Sequence, residues 1–420
     1  MQQNLTYMKK LLTVICAVLL LAACKKDKTE PTPTLPDKRT VIVYMPAETN
    51  LNSFANDDVN EMKKGIKDVV GRYNLLIFVD HASETQMPFI AKITSDTQHP
   101  VDTLYKYTED FYSSDADHFR EVLSRCMSLC PAENYGLVLW GHASGWIIER
   151  NGSLARAPRR AYGIDNGDNS AVGPGGNDSY KWMQIPEMRE ALEQLGIKFK
   201  FIFCDCCNMQ SVETAYELRN CTEYFIASPA EITGVGAPYD TMVKDFFKED
   251  DSEMCVSMCQ DYNAQYDYVG GHLPISAVQT DKLEDLATAT QQVLPQVADY
   301  LKTDNPTEGK IYYYAYNKNY EREKVMYDMY GMIRAALTDY PDAFKDWNYA
   351  FDQAVFYTET SEKWHANAVN FDDFTVTPEN YGGMSMFFPM DKYKNTSHKY
   401  NDAIKLMQWY QAVGWSAVGW

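Results

Sequence analysis

The sequence predicts an α/β fold with a mostly parallel central sheet covered by helices on both faces. Its most apolar runs, at residues 40–44, 75–79, 135–140, 199–204 and 224–227, are continuous rather than alternating, as strands buried on both sides are. Between them lie segments with helical spacing of apolar residues, at 57–66, 119–127, 185–195 and from 211 onward. In sheets of this kind, side chains that do chemistry gather beyond the carboxyl ends of the strands.

Taken in order, the chain opens on a leader. Lys9 and Lys10 precede an apolar stretch at 11–21 that is too short to span a bilayer and ends in Leu21-Ala22-Ala23-Cys24. This ending resembles a bacterial lipobox. The resemblance implies cleavage before Cys24, a lipid on its sulfur, and an extracytoplasmic protein that meets a bacterial membrane through that anchor alone. Residues 1–23 are read as the signal peptide and 24–38 as the lipidated cysteine with its tether, since 25–36 is charged and rich in Pro and Thr.

The 420 residues, 45% apolar and 13% aromatic, suit a globular chain with one large core or two smaller ones. The net charge of −19 becomes −21 when Lys9 and Lys10 leave with the leader, and no basic cluster offsets it. That balance argues against nucleic acid and suits a cationic ligand. Of ten cysteines, Cys16 and Cys24 belong to the leader and its lipid site, and the other eight are too sparse for a disulfide scaffold. Cys126/Cys130 and Cys255/Cys259 have the spacing of one helix face, where they pack as core residues.

Strand 40–44 runs into a polar loop at 46–53 and a helix. After strand 75–79, residues 89–94 and 103–107 read as a short antiparallel excursion. Strand 135–140 ends in Gly141-His142-Ala143-Ser144-Gly145-Trp146. The segment 147–180 is rich in Gly, Pro, Asn and Asp without periodicity, so it is expected to be a long exposed loop. Beyond residue 240, helical patterning returns at 283–301 and 327–337, and 381–389 reads as a further strand. Residues 39–300 form the main domain of this reading, with 301–420 a second subdomain or an extension of the sheet.

The chemistry points to the strand–corner–helix at 200–218, Lys-Phe-Ile-Phe-Cys-Asp-Cys-Cys-Asn-Met-Gln-Ser-Val-Glu-Thr-Ala-Tyr-Glu-Leu. A thiol at such a corner faces backbone N–H groups and a helix N-terminus, which favour the thiolate, and Cys207 is the best placed. Its base has to come from a neighbouring strand end, and His142 follows strand 135–140 directly. The N–H groups of Ala143 and Cys207 are candidates to hold an oxyanion. Zinc held by Cys204, Cys206 and Cys207 is disfavoured, because three cysteines this close cannot all point at one ion from a regular strand.

Gly-His-Ala-Ser-Gly-Trp at 141–146, Cys-Asp-Cys-Cys-Asn-Met-Gln-Ser-Val-Glu at 204–213 and Tyr-Gly-Gly-Met-Ser-Met-Phe-Phe-Pro at 381–389 resemble the clostripain family of cysteine peptidases. Val-Tyr-Met-Pro-Ala-Glu-Thr-Asn-Leu at 43–51, Ala-Ser-Pro-Ala-Glu at 227–231 and residues 236–240 match as well, so order and spacing hold from about 40 to 390. The resemblance implies a caspase-like three-layer α/β/α sandwich. It also implies an endopeptidase with a His142–Cys207 dyad that cleaves after Arg or Lys. Asp205 matches the Asp of the family's Asp-Ala-Cys-Leu-Met pattern. In a strand it points to the same side as Cys207, where its carboxylate can pair with a basic P1 side chain of a protein or peptide substrate.

Family members are often activated by self-cleavage between the catalytic His and Cys, and Arg156, Arg159 and Arg160 in the 147–180 loop are the candidate positions. No cofactor is required on this reading. Calcium serves some relatives, and Asp165-Asn-Gly-Asp168-Asn169 offers oxygen ligands, though it lacks the twelve-residue loop with its closing Glu. A monomer is expected. Ala143 stands where the family usually has Gly; if that residue must take a positive φ, its methyl costs about 1 kcal/mol. Asn208 replaces an apolar family residue. Those two departures carry the alternative reading, a catalytically impaired surface binding protein.

Overall fold

The computed structural model describes residues 36–83, 85–147, 161–165, 181–269, 274–315, 321–365, 373–396 and 399–420. Cys24, Arg156, Arg159, Arg160, Asp168 and Asn169 lie outside them.

In chain order the strands are β1 (Asp37–Ala47), β2 (Tyr73–His81), β3 (Phe89–Ile93), β4 (Val101–Lys106), β5 (Ala132–Trp140), β6 (Tyr162–Asp165), β7 (Lys181–Met183), β8 (Phe199–Asp205), β9 (Thr222–Ala227), β10 (Ile275–Gln279), β11 (Tyr312–Ala315), β12 (Lys324–Asp328), β13 (Val355–Glu359), β14 (Lys363–His365), β15 (Asp373–Thr375) and β16 (Ser385–Met386). Nine of them make one sheet in the order β13-β10-β9-β8-β5-β1-β2-β3-β4. The five in the middle, β9-β8-β5-β1-β2, run parallel. An antiparallel pair extends each flank, β3 with β4 on one side and β10 with β13 on the other.

The parallel strands are the continuous apolar runs of the sequence. Val41–Met45, Leu75–Val79, Leu137–Leu139 and Phe201–Phe203 are buried, which requires cover on both faces. Helices supply it, among them Asn52–Gly65, Ala116–Leu129, Ile185–Glu193, Asp251–Val269 and Leu283–Tyr300. Cys255 and Cys259 are buried on the helix Asp251–Val269, and Cys126 on the helix Ala116–Leu129. Their spacing serves packing.

Residues 37–420 form one compact unit. The chain beyond 300 adds β13 to an edge of the main sheet and builds the small sheet β11-β12-β16. Within 381–389 only Ser385 and Met386 pair as a strand, while Met384, Phe387 and Phe388 are buried by side-chain packing. The apolar run there marks burial rather than a full strand.

The expected exposed loop at 147–180 is not exposed throughout. Residues 161–165 are buried, and β6 pairs antiparallel with β7. The Tyr162 hydroxyl reaches the carbonyls of Tyr44 and Trp140, 3.2 Å from each, which ties β6 to the ends of β1 and β5.

Candidate active site

β5 and β8 are neighbours in register, with Trp140 beside Asp205. Both strands stop there, so the residues that follow share one edge of the sheet. His142 and Cys207 line a small cleft of about 100 Å³, together with Leu51, Trp140, Asp205 and Gly236. A cavity of about 990 Å³ lies elsewhere, between Thr307, Tyr312, Lys324 and Trp420, and holds neither a His nor a Cys. Chemistry rather than size locates the site.

His142 is held from two directions. Its backbone carbonyl accepts the N–H of Gly163 at 2.9 Å, and the N–H of Ser144 donates to Ala161 O at 2.9 Å. Between these two bonds Ala143 faces Tyr162 in a bridge that leaves the Ala143 N–H out of the ladder. The ring is fixed separately, with Nε2 2.8 Å from Asn50 Oδ1 in the loop after β1. The sequence singled out neither Asn50 nor β6.

Ala143 does not take a positive φ; the left-handed region is used by Gly141 (φ 121°) and Gly145 (φ 63°) on either side. The methyl group therefore carries no backbone strain. At Gly145 a Cβ would stand 2.5 Å from Asn208 O, so only glycine fits. Asn208 itself adopts φ 58°, which Asn tolerates, and its Nδ2 donates to Pro229 O and Tyr313 O. Its role is to lock the corner after Cys207.

Cys207 is half-buried, and the N–H of Ile232 points at its sulfur from 3.4 Å. That amide comes from the loop after β9. The helix Val212–Glu217 begins five residues beyond Cys207 and is capped by Ser211. Cys204 and Cys206 are buried, and their thiols lie within hydrogen-bonding reach of each other. Residues two apart share a face of a strand, and Cys204 and Cys206 keep that relation at the end of β8. Burial, followed by the effect of the Cys204 thiol, pushes the Cys206 thiol far up, so it is not the reactive one.

Asp205 is the last residue of β8 and is buried. Its Oδ2 accepts the Tyr239 hydroxyl at 2.8 Å and the Ala237 N–H at 3.1 Å, while Oδ1 has no hydrogen-bond partner among the described residues. Burial raises the carboxyl to about 6 against the pull of those two donors. Gly236, at φ 66°, allows the approach, since a Cβ there would meet Asp205 Oδ2 at 2.8 Å. Behind it Asp58, on the helix Asn52–Gly65, accepts the Trp140 indole N–H at 2.6 Å. Burial and then the Asp205 charge raise Asp58 to about 9. A lone Asp on an amphipathic helix gives no sequence signal for such a position.

A second group of acids lies at the same edge of the sheet. Glu48, Asp80 and Asp165 are buried and place one ligand oxygen each within 4.8 Å of the others. Burial, then the charges of Asp165, Glu48 and Asp110, hold the Asp80 carboxyl well above the usual carboxylate range. Of the calcium candidates in the sequence, Asp165 is buried in this group, beside Glu48 just after β1 and Asp80 of β2. The cysteine corner does not form a metal cluster among the described residues.

Comparison with known proteins agrees with this geometry. The model of the clostripain family, Peptidase C11, matches residues 43–420. A secreted C11 cysteine protease from Bacteroides thetaiotaomicron, solved with an irreversible peptide inhibitor, is 28% identical, with 90% of this chain and 99% of that one covered at a TM-score of 0.73. An inactive zymogen C11 protease from Parabacteroides distasonis shares the fold at 23% identity, with 91% and 99% covered and a TM-score of 0.71. No match is found among curated proteins. With the family match running from β1 to the last residue, this chain belongs to the clostripain family and is a cysteine peptidase with a caspase-like fold.

Proposed function

We propose that the chain is an endopeptidase that cleaves after Arg or Lys, with Cys207 as nucleophile and His142 as its proton carrier. The observation that carries this reading is Asp205: one carboxylate oxygen is pinned by Tyr239 and Ala237, the other is buried without a hydrogen-bond partner among the described residues, and the residue lines the cleft of Cys207 and His142. A guanidinium or ammonium group in that cleft would supply the missing partner.

On this reading the Cys207 thiolate, favoured by the Ile232 N–H, attacks the scissile carbonyl. The N–H of Ala143, left out of its bridge, and that of Cys207 receive the oxyanion. His142 gives its proton to the leaving amine, and water then hydrolyses the thioester with His142 as base. The test uses fluorogenic peptides ending in Arg, Lys, Asp or Leu. Release after Arg and Lys that disappears in Cys207→Ala supports the reading; release after Asp or Leu, or release that survives in the variant, overturns it.

Self-cleavage at Arg156, Arg159 or Arg160 belongs to the same proposal. Wild type should run as two bands on a denaturing gel where Cys207→Ala runs as one; a single band of fully active enzyme contradicts required processing. Anchoring through Cys24 is proposed from the lipobox, and the description of the B. thetaiotaomicron relative as secreted fits export. Wild type should partition into detergent while Cys24→Ser stays aqueous.

A further inference from the structure

The cavity of about 990 Å³ shares no residue with the cleft of His142 and Cys207. Lys302, Lys310, Lys324, Lys392 and Lys394 line it, against the acids Glu308 and Asp391. On a chain of net charge −19 this is a local reversal of sign. No basic run in the sequence announces it, because the lysines come from the segment after the helix Leu283–Tyr300, from β12 and from the segment after Met390. A smaller cavity of about 290 Å³ shares Lys394 and Trp420 with the first and adds Lys399 and Lys405 beside Asp402.

Two of the ammonium groups are held in place by neutral groups. Lys324 Nζ lies 4.7 Å from the centre of the Tyr312 ring. Lys392 Nζ donates to the Tyr327 hydroxyl at 2.9 Å and to the Thr307 hydroxyl at 3.1 Å. Tyr312 and Tyr327 are themselves buried on β11 and β12, so these contacts fix positions without adding a counter-charge. The Lys310 ammonium makes no hydrogen bond or ion pair among the described residues. Two further rings of the wall, Phe374 and Trp420, are only half-buried.

We infer that this cavity binds an acidic oligosaccharide, a short run of sugar rings that carry carboxylate or sulfate groups. Its cations are all lysines, compact point charges that suit single anionic groups spaced along a chain, and no arginine among the lining residues offers the fork that grips one phosphate bidentately. Phe374 and Trp420 present flat apolar faces with negative π density, which suit the C–H faces of sugar rings, and Thr303 and Thr307 supply hydroxyls for theirs. An acidic peptide would satisfy the lysines and leave the two rings without a partner. The volume stands at the upper end of the roughly 300–1,000 Å³ of ligand sites, which suits several linked rings rather than one. The site docks glycan apart from the peptide chemistry, and it rests on no role given to Cys207 or His142.

The experiment titrates the full chain by calorimetry with a heparin-derived tetrasaccharide, a galacturonic acid tetrasaccharide, neutral maltotetraose and hexaglutamate. At least one of the acidic sugars should bind, one per chain, and weaken about tenfold between about 0.05 and 0.3 M salt, as screened charges do. Which of the two binds more tightly tells sulfate from carboxylate as the preferred group. Maltotetraose and hexaglutamate should bind about tenfold more weakly or worse. Lys310→Gln alone should cost about threefold without moving Tm, and Lys310→Gln with Lys324→Gln about tenfold, with kcat/KM for an Arg peptide within twofold of wild type. Phe374→Ala should weaken the acidic sugar severalfold. No binding of either acidic sugar, maltotetraose or hexaglutamate binding as tightly, or full affinity in the double lysine variant overturns the proposal. A kcat/KM that falls with the lysines overturns the separation of the two sites.

Discussion

The His142 ring is anchored by a residue 92 positions earlier in the chain, with Nε2 lying 2.8 Å from Asn50 Oδ1. An amide oxygen only accepts, so this pairing keeps the proton on Nε2 and leaves Nδ1 as the basic nitrogen. Asn50→Ala should lower kcat tenfold to a hundredfold, the usual order of loss when a reacting group is misplaced, with KM within twofold. Asn50→Asp, which also accepts from Nε2, should restore most of it. Equal losses in both variants would mean that the amide only supports the loop.

Asp205 makes the reaction sensitive to pH in a defined direction. Its carboxyl is raised to about 6, so the charge offered to a basic P1 side chain is present above that pH and lost below it. KM for an Arg peptide should climb about tenfold per unit as pH falls below 6, and Asp205→Asn should flatten that limb while costing at least a hundredfold in kcat/KM. A pH profile unchanged by the substitution would remove Asp205 from substrate binding.

The same shift sets a stability cost. The native carboxyl holds its proton up to about 6, whereas in the unfolded chain it loses it near 3.8, so folding loses stability as pH rises between those values and does not recover it above. The deficit at pH 8 is on the order of 2–3 kcal/mol. Asp205→Asn should therefore unfold at higher denaturant than wild type at pH 8, with little difference at pH 3.5. Equal midpoints at pH 8 would refute the raised value.

Asp58 offers a contrast. Raised to about 9, its carboxyl is neutral at pH 7, and Asn is close to it in shape and charge. Asp58→Asn should keep Arg cleavage within about threefold at pH 7, although it adjoins Asp205. A loss as deep as that of Asp205→Asn would show a pocket that uses two negative charges.

Ala143→Gly should change activity by less than twofold, since Ala143 already sits at ordinary φ. Gly145→Ala, by contrast, meets the Asn208 carbonyl and should cost several kcal/mol of stability along with activity. A clear gain in Ala143→Gly would restore the family glycine as a requirement.

That His142, Cys207 and Asp205 share one cleft was legible because each sits at or just past the end of a continuous apolar run, and that placement is local to the sequence. Asn50, Ile232, Asp58 and the three-acid cluster were not, because each reaches its partner across the sheet edge from a distant segment. β6 escaped because four residues amid Gly and Asn show no period, although Tyr162 and Ile164 are buried. The concern over Ala143 came from residue type alone, while φ is decided by where the chain turns, at Gly141 and Gly145. The fold class was readable for the same reason as the site: burial on both faces leaves uninterrupted apolar runs.

The adjacency of β5 and β8 has a consequence for the protein as an object. His142 precedes the segment 147–180 and Cys207 follows it, yet their strands are laddered side by side from Gly136 with Phe201 to Trp140 with Asp205. A break anywhere between them would divide the polypeptide without parting the two side chains, because the sheet rather than the covalent backbone keeps them together. The working unit would then be two polypeptides that separate on a denaturing gel and travel as one through a sizing column, its integrity set by non-covalent cohesion.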